Sequence, residues 1–591
     1  MFSRRSFIGG SSTLLAAAAT RSTLAAVNPE PALDLDFRDR DAQDRHTQAF
    51  GATLRYVDHE VFGDAAGVIV EEASLNGVED AGYSEAGSLP TGWRIVTRSG
   101  TASGVQCTFT KIDAACGRIN VRGKSAEEIT IIMGSDRYFP IKQGELLTGS
   151  IALRLAPGGS NGPVSPGMFI VERNVDGSVP ESNPITASIQ QIQSDKAWWA
   201  QVQHVARGDG FATLAFRITT KTEFDLSFEL NYPQLEKRAW RSSFCQSSRQ
   251  SDETALATAS NYLSAPERSV LITADAPRFV SEATLWNEYA DAYNLVEVIL
   301  RDKVIYARVT AGGSATELRL GVVPPLMRFT VCLILKAKGF AASLNGKPLQ
   351  SLECRMPGGL RQARLGSGSM GSWNSTVVQL KLFRAAIVDG AAASRPQEAM
   401  YDDFDRPNSS SLGVSPTGQS IQRFGSASKI VDRRWVAEDE LGLTFAAYGT
   451  VRLRHVPRYI GTVLRWTTGM TEGGAGLIAA THDNLDQPLD ALHTVVTDQR
   501  EIFQTISHSR VDNALANFTY TTPMHRDATT VYGIAVMLNA SESAVVYVGP
   551  QGDLVRHVDP TYAQRAGSVA VFEHYWGLGH SRPEFLAIAA F

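Results

Sequence analysis

The chain has little net charge and no long apolar run beyond its first residues, and each shortage excludes a class of protein. Its 591 residues carry 56 Lys plus Arg against 61 Asp plus Glu. This near balance gives no electrostatic reason to expect nucleic acid or an anionic membrane as a partner. No segment after residue 25 reaches about 18 unbroken apolar residues, so we expect no transmembrane span in the mature protein.

Cysteine is also scarce, and its odd count of five forbids complete pairing. Cys107 and Cys116, and likewise Cys332 and Cys354, are close enough in sequence to form hairpin disulfides in an oxidising compartment. Buried free thiols are the alternative. The sequence leaves both open.

The N-terminus has the pattern of an export signal. Arg4 and Arg5 precede an uncharged run over residues 9–20, and Thr23-Leu24-Ala25 offers a small-residue cleavage site. Paired arginines stay out of the bilayer, and a run of roughly 12 residues is too short for a permanent span. We therefore expect a twin-arginine signal peptide at residues 1–25 and a mature protein that is periplasmic or secreted.

Alternation of apolar and polar residues with a period of two dominates the remaining chain. In residues 223–230, EFDLSFEL, apolar and mostly acidic side chains alternate, which is typical of a half-buried antiparallel strand. Similar segments recur between Gly, Asn and Asp turns, such as the hairpin signal Asn345-Gly346, without a βαβ rhythm. The pattern predicts an all-β fold of antiparallel β-sandwiches.

Two composition breaks divide the mature chain. Residues 246–259 are polar and rich in Ser, Thr and Ala, and residues 390–397 are rich in Ala, Ser and Pro. We therefore expect three tandem domains, each long enough for its own core. They span residues 30–250, 262–388 and 400–591.

The first domain resembles modules of bacteriophage tail-fibre and related surface proteins. Residues 52–58, ATLRYVD, and 67–76, GVIVEEASLN, are similar to a fibre segment A-T-x-x-Y-V-D then G-L-L-I-E-E-x-x-T-N, with Leu75 in place of its Thr. Residues 234–236, QLE, followed by 241–244, RSSF, resemble the Q-L-E…A-T-S-[YF] ending of carbohydrate-binding-module-like β-sandwiches. The domain is thus expected to be a fibre-like segment plus such a sandwich.

The second and third domains resemble the laminin-G/concanavalin-A-like jelly roll. The stretches that carry this resemblance are residues 340–346, 364–366 and 379–383 in the second domain and 402–406, 412–413 and 577–579 in the third. Together with that of the first domain, this resemblance implies three glycan-facing β-sandwich (jelly-roll) domains. It implies no single activity, because this fold hosts lectins, lyases and hydrolases.

Trp198 and Trp199 are the candidate ligand-binding residues. An exposed indole stacks on the apolar face of a sugar and leaves its N–H for a hydroxyl. Neighbours on a strand face opposite ways, so at most one indole is exposed while the other packs in the core. The other tryptophans are expected in the core or at its rim: Trp93, Trp240, Trp286, Trp373, Trp435, Trp466 and Trp576.

Glu223 and Asp225, which share a strand face with Glu229, are candidate catalytic residues. Their spacing misses the E-x-D-x-x-E pattern of laminarinase-type glucanases. Glu223 and Glu229 lie roughly 20 Å apart at strand rise, against the ~5–5.5 Å that a retaining glycosidase needs. A solvated outer face is the alternative interpretation.

The third domain offers a second group, in which Tyr520 or His525 acts as base and Arg526 neutralises a uronate, as in jelly-roll lyases. The Q-I-H and R-S-E-L-R lyase motifs are missing. Asp483 and Asp486, like the acidic residues of 402–405, stand in oxygen-rich stretches suited to a structural calcium ion, with plain Asx turns as the alternative.

Together these features predict an exported multidomain protein that binds a polysaccharide or cell-surface glycan. One alternative is a glycoside hydrolase or polysaccharide lyase acting on an exopolysaccharide. A second is a virion tail-fibre component whose N-terminus only mimics an export signal. The sequence does not fix the oligomeric state, and it shows no heptad stalk.

The signal peptide gives the first testable prediction. Protein recovered from the cell envelope or medium should begin near Ala26, because a twin-arginine peptide is removed after export. Mass spectrometry of the N-terminal peptide measures this. A mature protein that retains Met1 or Phe2 would instead favour the virion alternative.

Overall fold

The computed structural model describes most of the chain between residues 29 and 590. The described residues are 29–38, 43–50, 68–71, 73–83, 89–97, 100–102, 104–113, 116–155, 165–178, 186–188, 198–219, 223–238, 245–249, 252, 254–257, 259–277, 281–395, 400–425, 427–438, 445–454, 457, 459–467, 474–481, 492–497, 501–508, 511–519, 530–538, 543–549, 552–558, 568–576 and 582–590. Antiparallel strands dominate them, which confirms the all-β prediction. None of the helices described is long and apolar enough to cross a membrane.

Two strands and a helix precede the first sandwich: β1 (Leu33–Asp36), α1 (Gln43–Phe50) and β2 (Val68–Val70). The first sandwich contains β3 (Ser74–Leu75), β4 (Trp93–Thr97), β5 (Gly100–Thr101), β6 (Val105–Lys111), β7 (Cys116–Lys124), β8 (Ile129–Met133), β9 (Phe139–Ile141), β10 (Leu146–Leu155), β11 (Ser165–Asn174), β12 (Thr186–Ser188), β13 (Trp198–Val205), β14 (Gly210–Thr219), β15 (Glu223–Glu236) and β16 (Ser248–Arg249).

The core of the first sandwich lies between two sheets, ordered β13-β10-β15-β7-β6 and β12-β11-β14-β8-β4-β5, with β9 against β14. The alternation of apolar and polar residues in strand β15 explains how one face of its sheet is buried. Phe224, Leu226 and Phe228 are buried, while Asp225 and Ser227 between them are part-exposed. The ring of Phe228 meets that of Phe216 from the other sheet edge-to-face at 5.4 Å.

The second sandwich follows with α2 (Ala259–Leu263), β17 (Arg268–Asp275), β18 (Glu282–Asp291), β19 (Asn294–Arg301), β20 (Val304–Ala311), β21 (Ser314–Val322), β22 (Arg328–Lys336), β23 (Gly339–Leu344), β24 (Gln350–Glu353), β25 (Gln362–Leu365), β26 (Ser367–Gly368), β27 (Gly371–Ser372), β28 (Ser375–Phe383) and α3 (Gly390–Ser394). Its sheets run β1-β28-β17-β22-β23-β24, with β2 on β28, and β21-β20-β19-β18-β25. Asn345 and Gly346 both have positive φ, 50° and 80°, as the predicted type I′ turn requires.

The first sandwich is an insertion in the second. β1 and β2 pair with β28, although the sequence groups them with the first domain. The chain then leaves through residues 71–76 and returns through 245–252. These two segments run antiparallel, with Ser74 opposite Arg249, and the backbone N–H of Glu71 donates to Oδ2 of Asp252 at 2.8 Å. A double connection therefore joins the two sandwiches.

The third sandwich contains β29 (Met400–Asp402), β30 (Gln422–Gly425), β31 (Ser428–Val431), β32 (Arg434–Ala437), β33 (Phe445–Arg452), β34 (Tyr459–Trp466), β35 (Gly474–Thr481), β36 (Leu492–Thr497), β37 (Glu501–His508), β38 (Val511–Thr519), β39 (Tyr532–Leu538), β40 (Ser543–Gly549), β41 (Gly552–Val558), β42 (Val569–Trp576) and β43 (Pro583–Ala590). Its sheets run β31-β32-β43-β34-β39-β40-β41, with β29 on β43, and β30-β33-β42-β35-β36-β37-β38.

Buried polar contacts join the second and third sandwiches. The buried Lys347 ammonium donates to Asp403 at 2.9 Å and to Asp405 at 3.0 Å. Tyr459 donates its hydroxyl proton to the carbonyl oxygen of Pro325 at 2.7 Å. Because a buried charge without its partner is costly, these pairs favour one relative placement of the two sandwiches.

All five cysteines are free thiols, which decides between the two alternatives that the sequence left open. Burial raises the pKa of Cys107 and of Cys332 to about 12. Thiols with such a pKa stay protonated near neutral pH and are poor nucleophiles.

Because the first sandwich is inserted in the second, we expect the two fragments produced by a single backbone cut after the first sandwich to stay together. A site-specific protease sequence placed between Arg249 and Asp252 should yield two fragments that elute together in gel filtration. The N-terminal fragment carries β1 and β2, which remain paired with β28 of the other fragment. The fragments should separate only in denaturant, and an N-terminal fragment that elutes alone under native conditions would contradict the insertion.

Candidate functional site

Trp198 and Trp199 begin β13, an edge strand of the first sandwich. The register pairs Trp198 with Leu153 and Trp199 with Ala152 of β10. Leu153 belongs to the core cluster and is fully buried, whereas Ala152, although also buried at 3% exposure, lies on the other face of its strand. Directly opposed residues of an antiparallel pair share a face, so the register places Trp198 at the same face position as Leu153 and Trp199 at that of Ala152.

Further positions along β13 agree with this assignment. Val202, four residues after Trp198, lies opposite Gly149 and is part of the core. Val205, six residues after Trp199, is 54% exposed. β13 also runs beside β41, with Cα–Cα distances of 8 Å or less between them, so this edge borders the third sandwich.

The outer face of the same sheet is polar across β15, β7 and β6. Ser227 donates its hydroxyl proton to Oδ1 of Asn120 at 2.7 Å, and Asn120 Nδ2 donates to Thr108 at 3.2 Å. Gln106 and Thr110, on the same face of β6, are exposed. The face therefore presents hydroxyl and amide groups that both donate and accept hydrogen bonds.

Three acidic residues of β15 lie on this face, each opposite a basic residue of β7. The pairs are Glu223 with Lys124, Asp225 with Arg122 and Glu229 with Arg118. The buried Glu229 carboxylate contacts Arg118 at 2.6 Å, and the half-exposed Asp225 lies 3.9 Å from Arg122. The face is thus a ladder of opposite charges, which differs from the facing carboxyl pair of a glycosidase.

The other candidates of the third domain fall outside the described residues. These are Tyr520, His525 and Arg526, and the calcium candidates Asp483 and Asp486. In the described part of the chain, no group of three or more His, Cys, Asp and Glu side chains is arranged to hold a metal ion.

The acidic loop at residues 402–405 is occupied by protein cations. Arg406 forms a two-bond ion pair with Asp402 at 2.7 and 2.8 Å, and Lys347 holds Asp403 and Asp405. Burial raises the pKa of Asp402 to about 6, against the opposing effect of Arg406. These carboxylates therefore stabilise the start of the third sandwich.

His574, on β42 of the third sandwich, is a core residue. Its fully buried ring packs against Trp435 at 4.2 Å and Phe585 at 4.4 Å between ring centroids. Burial lowers its pKa to about 3, so the imidazole is neutral over the physiological range. Of the seven tryptophans expected in the core or at its rim, the five whose side chains the structure describes are buried, which confirms that interpretation for Trp93, Trp286, Trp373, Trp435 and Trp466.

An exposed tyrosine and an arginine-rich segment, which are not among the sequence predictions, lie at an end of the second sandwich. Tyr293 stands in the β18–β19 hairpin with 67% of its surface exposed. Beside it runs the segment 355–364, RMPGGLRQAR, with three arginines and no acidic residue. That local excess of positive charge was the available signal.

No protein-family model and no curated protein matches the chain. The chain is similar to the sialidase CBM40 of Ruminococcus gnavus bound to α2,3-sialyllactose (13% identity over 22% of this chain and 83% of that chain, TM-score 0.20). It is also similar to mouse laminin α1 domains LG4–5, with 11% identity over 52% of this chain and 75% of that chain and a TM-score of 0.17. A third similar structure is the Bauhinia forficata lectin in complex with GalNAc, with 9% identity over 32% of this chain and 96% of that chain and a TM-score of 0.22. Such low TM-scores carry no argument about function.

The buried imidazole of His574 predicts a loss of stability in acid. The unfolded chain takes up this proton below about pH 6.5, whereas the folded chain resists it down to about pH 3. The stability present above pH 6.5 is therefore lost progressively as the pH falls through this window, by about 2 kcal/mol at pH 5.

Urea unfolding of the wild type and of His574→Gln at pH 7 and pH 5 measures this effect. All other titrating groups are common to both proteins and cancel in the difference. The wild type should lose about 2 kcal/mol more than the variant between the two pH values. Equal losses would show that His574 does not titrate between the folded and unfolded states.

Proposed function

We propose that the protein is an exported polysaccharide-binding protein whose first sandwich holds a sugar chain on its outer polar face. The observation that carries the proposal is the register position of Trp199, on the same face as the polar row of β15, β7 and β6. An indole at the edge and hydrogen-bonding side chains across the face suit the two surfaces of a sugar ring.

The indole and the polar row would contact different surfaces of the sugar chain. The indole of Trp199 would cover the apolar C–H face of one sugar residue, while Asn120 and Thr108 would exchange hydrogen bonds with hydroxyls further along the chain. The side chains of the polar row already bond to one another, which orients them before any ligand arrives. Such orientation lowers the entropy that binding costs.

Two features of the sequence support the proposed location and origin of the protein: the N-terminal pattern and the resemblances to fibre modules. The paired arginines 4 and 5 support export by the twin-arginine route. The fibre-like stretches 52–58 and 67–76 support a history shared with phage surface modules. A glycan of a cell surface or of an exopolysaccharide is the ligand that both features suit.

Single substitutions of the two tryptophans test the proposal. Trp199→Ala should weaken retention on a bound polysaccharide by about 1–2 kcal/mol, or roughly 5- to 30-fold in Kd, with little change in melting temperature. Trp198→Ala should cost about 3–5 kcal/mol of stability, because its position is in the core. Affinity electrophoresis against a panel of neutral and acidic polysaccharides and thermal melts measure both effects.

Trp199→Phe is the matched control, since it keeps an aromatic face and should restore most of the retention. If Trp199→Ala binds every polysaccharide as the wild type does, the outer face of the first sandwich is not the binding site. The same incubations should be assayed for new reducing ends and for unsaturated uronate absorbance. Cleavage that persists in both variants would favour an enzyme.

A further inference from the structure

Two hairpin tips lie side by side at one end of the second sandwich. One joins β18 to β19 at residues 291–294, and the other joins β20 to β21 at residues 311–314. The N–H of Gly313 donates to the carbonyl oxygen of Tyr293 at 3.0 Å, and that of Gly312 donates to Oδ1 of Asn294 at 3.1 Å. These bonds fix the tips to each other and leave the Tyr293 ring 67% exposed.

The arginine-rich segment 355–364 begins beside these tips and continues along β18, where Gln362 pairs with Tyr289 and Arg364 with Asn287. Arg361 is bonded twice to the end of β18, through its N–H to the carbonyl oxygen of Tyr289 and through Nη2 to that of Ala290, both at 3.1 Å. The Arg364 guanidinium lies 5.4 Å above the Tyr289 ring. Nη1 of Arg355 lies 3.9 Å from where a Cβ on Gly312 would stand.

Among the described residues these three arginines have no acidic partner, as is also true of Arg384 and Arg395, whereas the more buried arginines of the second sandwich are paired. Arg268 is paired with Glu288, Arg308 with Glu297 and Arg328 with Asp275. In the part of the chain that the structure describes, none of Arg355, Arg361 and Arg364 forms an ion pair. The carboxylate of Asp291, in the β18–β19 tip, accepts from the Tyr293 N–H and from Asn294 instead.

We propose that this hairpin end is a second carbohydrate site, specific for an anionic sugar residue such as a uronate. The planar guanidinium groups of Arg361 and Arg364 match a carboxylate with paired N–H donors, and the exposed ring of Tyr293 offers a stacking face. Tyr289 holds the Arg364 group in place from below. The proposal rests on the proposed function, since it takes the ligand to be a polysaccharide, but it uses none of the residues of the first sandwich.

The charge of the whole chain favours a sugar over a nucleic acid. The net charge is −5, so the three arginines are a local positive patch on a slightly acidic protein. A nucleic-acid backbone is bound by a long basic stripe that neutralises many phosphates. A short cluster beside one exposed aromatic ring fits one anionic sugar residue with its ring face.

The test uses the full mature protein and affinity electrophoresis in gels that contain polygalacturonate, dextran sulfate or neutral dextran. The double variant Arg361→Gln/Arg364→Gln should weaken retention by polygalacturonate at least tenfold. Tyr293→Ala should weaken it severalfold, with Tyr293→Phe close to the wild type. Thermal melts should change little, because Arg361→Gln keeps the backbone bond to Tyr289 and the side-chain contacts that are lost lie at the surface.

The charge-matched control is Arg137→Gln/Arg454→Gln, which removes two exposed arginines from the other two sandwiches. An equal loss of retention in this control would overturn the proposal in favour of nonspecific charge attraction. A loss confined to dextran sulfate would support the site with a sulfate ester as its anion. Unchanged retention of the Arg361→Gln/Arg364→Gln variant would refute it.

The two proposals fail in different ways. If the wild type is retained by a polysaccharide and Trp199→Ala weakens that retention, the first site stands whatever the arginine variants do. If the arginine variants alone lose retention, the second site stands and the first is wrong. If the wild type is retained by no polysaccharide of the panel, the proposed function itself fails and the hairpin end loses its ligand class.

Discussion

The architecture depends on one constraint: β28 pairs with strands that precede the first sandwich in the chain and with a strand that follows it. β28 has β1 and β2 on one side and β17 on the other, so the chain must leave the second sandwich and return to it. The buried Asn76 secures the crossing. Its side chain donates to the carbonyl oxygens of Pro233 and Cys245 and accepts from Val78 and Leu235, so all four of its hydrogen bonds are made.

Both candidate binding regions lie outside the hydrophobic cores, one on the outer face of a sheet and the other at a hairpin end. Trp93, Trp286, Trp373, Trp435 and Trp466 pack in the cores, and the buried Arg268 is paired with Glu288 inside the second sandwich. Burying a charge without its partner costs several kcal/mol, so paired charges are what a stable core retains. Against that background we propose the edge position of Trp199 and the arginines of the hairpin end as the two surfaces for a ligand.

Local patterns in the sequence predicted a good part of this structure. The alternation in residues 223–230 gave the inner and outer faces of β15, and Asn345-Gly346 gave a turn with two positive φ angles. Both depend on neighbours along the chain, which is why they could be predicted. The positions of Trp198 and Trp199 could not be told apart, because alternation separates two adjacent residues but only the register with β10 places Trp198 opposite the core residue Leu153.

The sequence by itself determined the all-β class, the half-buried strands and the composition of the polar face, because these follow from the order of apolar and polar residues. Only the tertiary structure decided that Leu33–Asp36 belongs to the second sandwich, since its partner in β28 lies hundreds of residues away. The same holds for His574, whose burial and low pKa come from Trp435 and Phe585 on other strands. Contacts between distant residues depend on which surfaces pack together, and no local pattern specifies that packing.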